Sequence, residues 1–286
     1  MNTSLFGHQR IDGVVPGIRG QRSFPTQAIT NADPFVLLDH IGPQVMPADF
    51  KVDGAPHPHR GFETITFMFA GNLHHKDNLG GDTVLSTGGV QRMNAGSGIS
   101  HGGDMWGDES SGEFHEIQLW VNSPKAQKMS APSIDNVKAE DIPSINKDGV
   151  NLRIIAGEQV DADGKRVQGP IKTFASISAF HGQALASTEG AKEGEIEIQI
   201  PQDHDRVLLY VLKGSVQLEG QKTVAYQSLV LKEAGGRIKL SKVCGEFLLL
   251  TGQSLNEPVV MGGPFVMNSQ AEIEQAYADH RDGYFD

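Results

Sequence analysis

One internal repeat constrains the fold more than any other feature of the sequence. Ile65 to Leu73 reads ITFMFAGNL and Leu208 to Val216 reads LLYVLKGSV, each a strand-like run that meets a glycine and continues as a second strand, at an offset of 143 residues (65 to 208). Asn94-Ala95-Gly96 matches Glu233-Ala234-Gly235 at an offset of 139 (94 to 233), a small contraction that belongs in a surface loop. The 34 glycines and 14 prolines fall between short β-branched and aromatic segments, where they punctuate turns. Two copies of one strand, glycine turn, strand, polar loop, strand unit are therefore expected.

Such a unit fits a double-sheet jelly roll of the cupin kind, whose inward positions can line a ligand cavity. The fold class read from the pattern is all-β, with two cupin domains in one chain. A boundary after NSPKAQKMSAPS divides it into residues 1–137 and 138–286. Helical chemistry is confined to the end: Ser269 and Glu272 form an S-x-x-E capping box, Ile273, Ala276 and Tyr277 share a face, and Gly283 supplies a stop. This short C-terminal helix is placed with the second domain.

Charge and composition exclude several classes of partner. With 24 basic and 35 acidic side chains the formal net charge is −11, and no run of Lys and Arg makes the basic stripe that nucleic acid or an anionic membrane requires. Runs such as Val207 to Leu212 are too short to span a bilayer, and the first residues lack a basic segment followed by an apolar one. A lone cysteine, Cys244, permits no internal disulfide. A cytoplasmic protein is the expectation, with Cys244 a buried inert thiol in a strand.

The chemistry gathers in the first copy. His57-Pro58-His59 sets two imidazoles two residues apart, and in a strand that spacing sends both to one face. His101 follows the glycine-rich turn 94–98, and Glu63, four residues after His59, keeps the same parity if the strand continues. Three imidazoles and a carboxylate suit Fe(II), Ni(II), Cu(II), Mn(II) or Zn(II). An isolated H-x-H is more often a solvated strand than a metal site; the third histidine and the glutamate shift the balance. His74-His75 reads as an exposed pair after a glycine turn, and His115 and Glu116 as structural. The second copy offers no such set: carried forward by the repeat, His57, His59, Glu63 and His101 fall on Ile200, Gln202, Arg206 and Leu240.

At these residues the chain resembles the pirin family of two-cupin proteins. The similar segments are DPFVLLDHIGP at 33–43, HPHRGFETITFMFAG at 57–71, AGSGISH at 95–101, QLWVN at 118–122, LNEPVV at 255–260 and GPFVMN at 263–268. The resemblance implies a first cupin that carries a metal, usually iron, and a second that has lost its site. It also implies two activities: dioxygenase cleavage of flavonols such as quercetin, and redox-dependent regulation through protein partners.

One departure affects the expected ligand set. The family pattern has a glutamate two residues after the third histidine, whereas this chain has Gly103, in the run His101-Gly102-Gly103-Asp104. Glu63, Asp104 or water is left to complete the shell, in that order of preference, with Glu63 beside the metal as the other reading of that residue. The resulting expectation is an Fe(II)-type dioxygenase acting on a small aromatic or enediol-like compound and O2, with Glu63 or Asp104 taking the hydroxyl proton. The competing expectation is a non-catalytic metal and redox sensor with a protein partner, for which DMWGDESSGEFHE at 104–116 would be a lid or docking loop.

Overall fold

The computed structural model describes residues 2–185, 193–232 and 235–285. Glu233 and Ala234, which carry part of the second repeat match, lie outside the described residues. The chain is built of strands, with one α-helix, Gln270–Arg281, near its end among the described residues. It divides into two compact units, and the division is not one cut. The first unit comprises Met1–Gln9, Thr26–Asp33 and Glu140–Ser254; the second comprises Arg10–Pro25, Pro34–Ala139 and Leu255–Asp286.

Pairing and packing explain two of the three segments that cross the simple boundary at 137/138, Thr26–Asp33 being the third. Strand β1 (Asn2–Phe6) runs antiparallel to Ser228–Lys232 and so belongs to the later unit. The C-terminal helix buries Ile273 and Ala276 against Phe265, Met267 and Phe285, and so joins the earlier one. Its capping is as expected: the Ser269 hydroxyl accepts from the Glu272 N–H at 3.3 Å.

The unit built on 140–254 is a nine-stranded sheet assembly around an apolar core. Its longest strands, Arg206–Leu218 and Gly236–Gly252, alternate buried aliphatic residues such as Val207, Leu209, Val211, Leu240 and Leu249. Leu240, the repeat counterpart of His101, is among them, and Ile200, the counterpart of His57, is also fully packed. This interior is filled by side chains.

The other unit has two sheets. Strands β2 (Gln9–Val15), β3 (Ile18–Phe24), β4 (Phe35–Val45), β6 (Phe62–Ala70), β9 (Val90–Asn94), β11 (Glu113–Asn122) and β12 (Ser133–Val137) form a seven-stranded sheet in the order β12-β9-β6-β11-β4-β3-β2. Strands β5 (Lys51–His59), β7 (Asn72–Asp77), β8 (Asp82–Ser86) and β10 (Ile99–Trp106) form a four-stranded one in the order β5-β10-β7-β8. The repeat is realised in matching strands: the glycine that ends β6, Gly71, and its counterpart Gly214 both have positive φ, +97° and +74°.

Candidate metal centre

The H-x-H segment ends β5, an edge strand, where the missing N–H of Pro58 breaks no interior ladder. His57 lies directly opposite His101 on β10, and His59 opposite Ile99. The structure thus brings His57, His59 and His101 together, with one ligand nitrogen from each within 4.8 Å of the others. Their ring centroids are separated by 4.8 Å (57 to 59), 4.5 Å (57 to 101) and 5.1 Å (59 to 101). His57 is exposed and His59 buried, so the group sits at an opening and reaches inward.

Hydrogen bonding fixes which nitrogens face that point. The Nδ1–H of His57 donates to the Ala55 carbonyl at 3.0 Å, and the Nδ1–H of His59 donates to the Pro264 carbonyl at 3.2 Å. A carbonyl can only accept, so both Nδ1 atoms carry the proton and both Nε2 lone pairs are free. His101 Nε2 is buried with no hydrogen-bond partner. Burial, reinforced by the charge of His57, lowers the pKa of His59 to about 3, and burial first of all also holds His101 well below 6.5. Three imidazoles gathered this closely, two of them held neutral by burial, form the donor set a divalent transition ion takes up, so the residues present fit a metal.

Neither expected carboxylate joins them. Chain direction changes at Gly61, whose φ is +86° and where a Cβ would collide with the Val266 carbonyl oxygen. β5 therefore ends at His59 and β6 begins in the other sheet at Phe62, which resets the parity assumed for a continuous strand. Phe62 packs against His59 and Trp120, while Glu63 points to the opposite face. There its Oε1 accepts from Arg92 Nε at 2.7 Å, and Arg92 Nη1 donates to Asp135 at 2.8 Å. Asp104, after a register shift in β10 between His101 and Gly103, stands opposite Asp53 and alternates with the inward Met105. Restoring Glu63 or Asp104 to the ligand set would need each strand to face the other way.

The histidines open into a cavity of ≈590 Å³. Leu37, Leu73, Met105 and Trp120 give it apolar walls, and Gly102 and Gly103 bring backbone to its surface. Three polar groups lining it were not legible as site residues. His75, expected on the surface, is buried, stacks on His101 at 5.0 Å, and donates from Nε2 to Asp77 at 3.0 Å. The Arg22 guanidinium binds Asp39 through two contacts, Nε to Oδ1 at 2.7 Å and Nη2 to Oδ2 at 2.6 Å. Glu116 lies with Gln118 and Trp120 on one face of β11, is 5% exposed, and has an Oε2 atom with no hydrogen-bond partner. His115, its neighbour, faces the other side and contacts His40, Nε2 to Nε2 at 2.7 Å. The signal for His75 and Glu116 is strand parity set by apolar neighbours: Leu73 inward places His75 inward, and Trp120 inward places Glu116 inward.

One further expectation is corrected: Cys244 is exposed, because Val243 takes the inward position of that strand. Within the segment 104–116, β10 extends to Trp106, β11 starts at Glu113, and Asp108 ties the turn between them by accepting from Ser110, Ser111 and Thr87.

Comparison with known proteins assigns this architecture. The pirin family model matches residues 17–121, and the model for the pirin C-terminal cupin domain matches 188–286. The chain belongs to the pirin family. A Pseudomonas aeruginosa protein named "Putative quercetin 2,3-dioxygenase PA3240" is 36% identical over 97% of this chain and 94% of its own length. Mouse pirin is 33% identical over 97% and 91%. The crystal structure of a quercetin 2,3-dioxygenase from Acinetobacter baumannii is 32% identical, with a TM-score of 0.86 over 99% of this chain and 96% of that one. The two-cupin fold read from the repeat, with the short C-terminal helix read from its capping box, is the fold of this pirin. Among the described residues, no helix is long and apolar enough to cross a membrane.

Proposed function

We propose that this pirin is a metal-dependent dioxygenase of the quercetinase type, acting with O2 on a small aromatic or enediol-like compound. The observation that carries the reading is the set of three inward imidazole nitrogens at the opening of a ≈590 Å³ cavity with aromatic and aliphatic walls. Similarity to the Acinetobacter baumannii quercetin 2,3-dioxygenase and to the Pseudomonas aeruginosa relative supports it. His57, His59 and His101 are the proposed ligands, and Fe(II) is the proposed ion, with Ni, Cu, Mn and Zn compatible with the same donors. When bound, such an ion would supply a Lewis-acid centre that lowers the pKa of a substrate hydroxyl and a redox centre for O2.

The chain's own residues do the rest. Ala55 and Pro264 hold the His57 and His59 rings in the tautomer that leaves Nε2 bare. Trp120, packed edge-on to His59 at 5.4 Å, presents a flat wall for an aromatic ring, and the apolar lining excludes water from it. Glu63 has no place at the metal in this proposal; its role is to hold Arg92. Asp104 likewise stands outside.

Metal content per chain, measured on tag-free protein beside His59→Ala, is the deciding experiment, followed by O2 uptake with quercetin. Near-stoichiometric metal in the wild type, little in the variant, and O2 uptake above that of free metal are expected. Full metal with no uptake on quercetin or related aromatic diols would exclude the enzyme and leave a metal-carrying regulator.

A further inference from the structure

The cavity has a second polar pole. Glu116, Gln118 and Trp120 alternate along β11 on the cavity side, and Trp120 contacts His59. Glu116 lies four positions before Trp120 along the strand, which is about 13 Å between their α-carbons. The carboxylate therefore belongs to the end of the cavity remote from the three histidines. Gln118, between them, is already engaged, its Oε1 accepting from the Thr66 hydroxyl at 2.9 Å.

The groups around Glu116 define what that end can bind. β4 contributes Asp39 and Ile41, and each carboxylate oxygen of Asp39 already accepts from Arg22 of β3. β6 places uncharged Met68 directly opposite Glu116. From the four-stranded sheet the titratable groups lining the cavity are Asp53, His57, His59, His75 and His101. Asp39 with Arg22 is close to neutral as a pair, so Glu116 is the acceptor left over in a buried polar corner. A buried acceptor without a donor is costly. A ligand hydroxyl would supply the donor, whereas a ligand carboxylate would be repelled by an ionised Glu116.

We propose that Glu116 contacts the substrate directly, accepting a hydrogen bond from a hydroxyl on the end remote from the metal, so that the cavity selects elongated aromatic compounds hydroxylated at both ends. The inference rests on the metal-site reading above. Burial, with a smaller contribution from Asp39, raises the Glu116 carboxyl to about 7, so acceptor strength changes within the physiological range. Where the hydroxyl proton is fully transferred, it resides on Oε2 and leaves a phenolate, with no other bond changed.

Two probes separate this inference from the reading beneath it. 3-Hydroxyflavone carries the hydroxyl and carbonyl pair that binds a metal but no hydroxyls on its outer rings; quercetin carries both. Their affinities are to be measured anaerobically, by absorption titration of metal-loaded wild type and Glu116→Gln, from pH 5.5 to 8.5, with metal content determined alongside. The wild type is expected to bind quercetin about tenfold more tightly than 3-hydroxyflavone above pH 7, a preference that shrinks below it. Glu116→Gln is expected to keep its metal and its 3-hydroxyflavone affinity while losing both the preference and its pH dependence. Equal binding of the two probes by the wild type, or an unchanged preference in the variant, overturns the role of Glu116 and leaves the metal-site reading standing. Binding of neither probe to metal-loaded wild type overturns both.

Discussion

The Nδ1–H of His59 is held by the carbonyl oxygen of Pro264, 3.2 Å away and 205 residues later in the chain. The last segment of the sequence thus sets the tautomer of an early histidine. That segment is in turn anchored from below. Lys128, 2% exposed, donates from Nζ to the carbonyls of Gly61 at 2.7 Å and Val266 at 2.9 Å and to Asn122 Oδ1 at 2.6 Å. Lys128→Met keeps the apolar stem and strands three buried acceptors, a loss of about 3 kcal/mol. Because Val266 is two residues from Pro264, metal affinity should fall about tenfold with it. Urea unfolding and a metal-competition titration measure the two effects; a destabilised variant with unaltered affinity would show that Pro264 does not depend on this anchor.

Glu63 provides the sharpest contrast between a ligand and a structural carboxylate. It is fully buried and bound to Arg92, on the sheet face that does not carry the histidines. Glu63→Gln should therefore retain the metal content of the wild type. It should lose about 2 kcal/mol of stability, since the Gln amide oxygen can still accept from Arg92 but the buried guanidinium loses its opposite charge. Elemental analysis and thermal unfolding decide it, and loss of metal from a folded Glu63→Gln protein would restore Glu63 to the site.

Reinstating the family glutamate at position 103 should fail as a repair. Gly103 has φ +135°, and a Cβ there would collide with the carbonyl oxygen of His74 on the neighbouring strand β7. β10 must move away from β7 to admit any side chain, and the strain is on the order of 3 kcal/mol or more. Gly103→Glu is expected to lower the melting temperature and to bind metal no more tightly than the wild type. A variant of wild-type stability with tighter metal binding would contradict this geometry.

How far the sequence could be read depended on whether a period-two argument stayed within one strand. His57 and His59 share β5, so their common face was legible, and the repeated glycine-ended strands gave the two cupins. The argument from His59 to Glu63 crossed Gly61, where the chain leaves one sheet for the other, and parity lost its meaning there. His75 and Glu116 were hidden for a different reason. Each is half of an adjacent polar pair, and only the inward positions of Leu73 and Trp120 decide which half enters the cavity. Nor does spacing reveal that β1 and the C-terminal helix join the units remote from them in sequence, because that pairing depends on long-range register.

Glu116 also leaves a signature in stability that needs no ligand. Its carboxyl, ordinarily ionised near 4.5, is pushed up to about 7 by burial first and by the charge of Asp39 second. Between those values the folded chain holds a proton that the unfolded chain has released. Stability conferred by this group is therefore greatest below about 4.5, falls as pH rises to about 7, and stays low above it. At about 1.4 kcal/mol per pH unit, the interval corresponds to about 3 kcal/mol. Glu116→Gln cannot ionise, so it should be close to the wild type at pH 5 and more stable by about 3 kcal/mol at pH 8, as read by urea unfolding at the two values. The histidines titrate in both proteins and cancel in the comparison. If the two proteins instead lost stability in parallel between pH 5 and 8, Glu116 would already be ionised in the folded state at pH 5, and the cavity would have to be read as wet at that end.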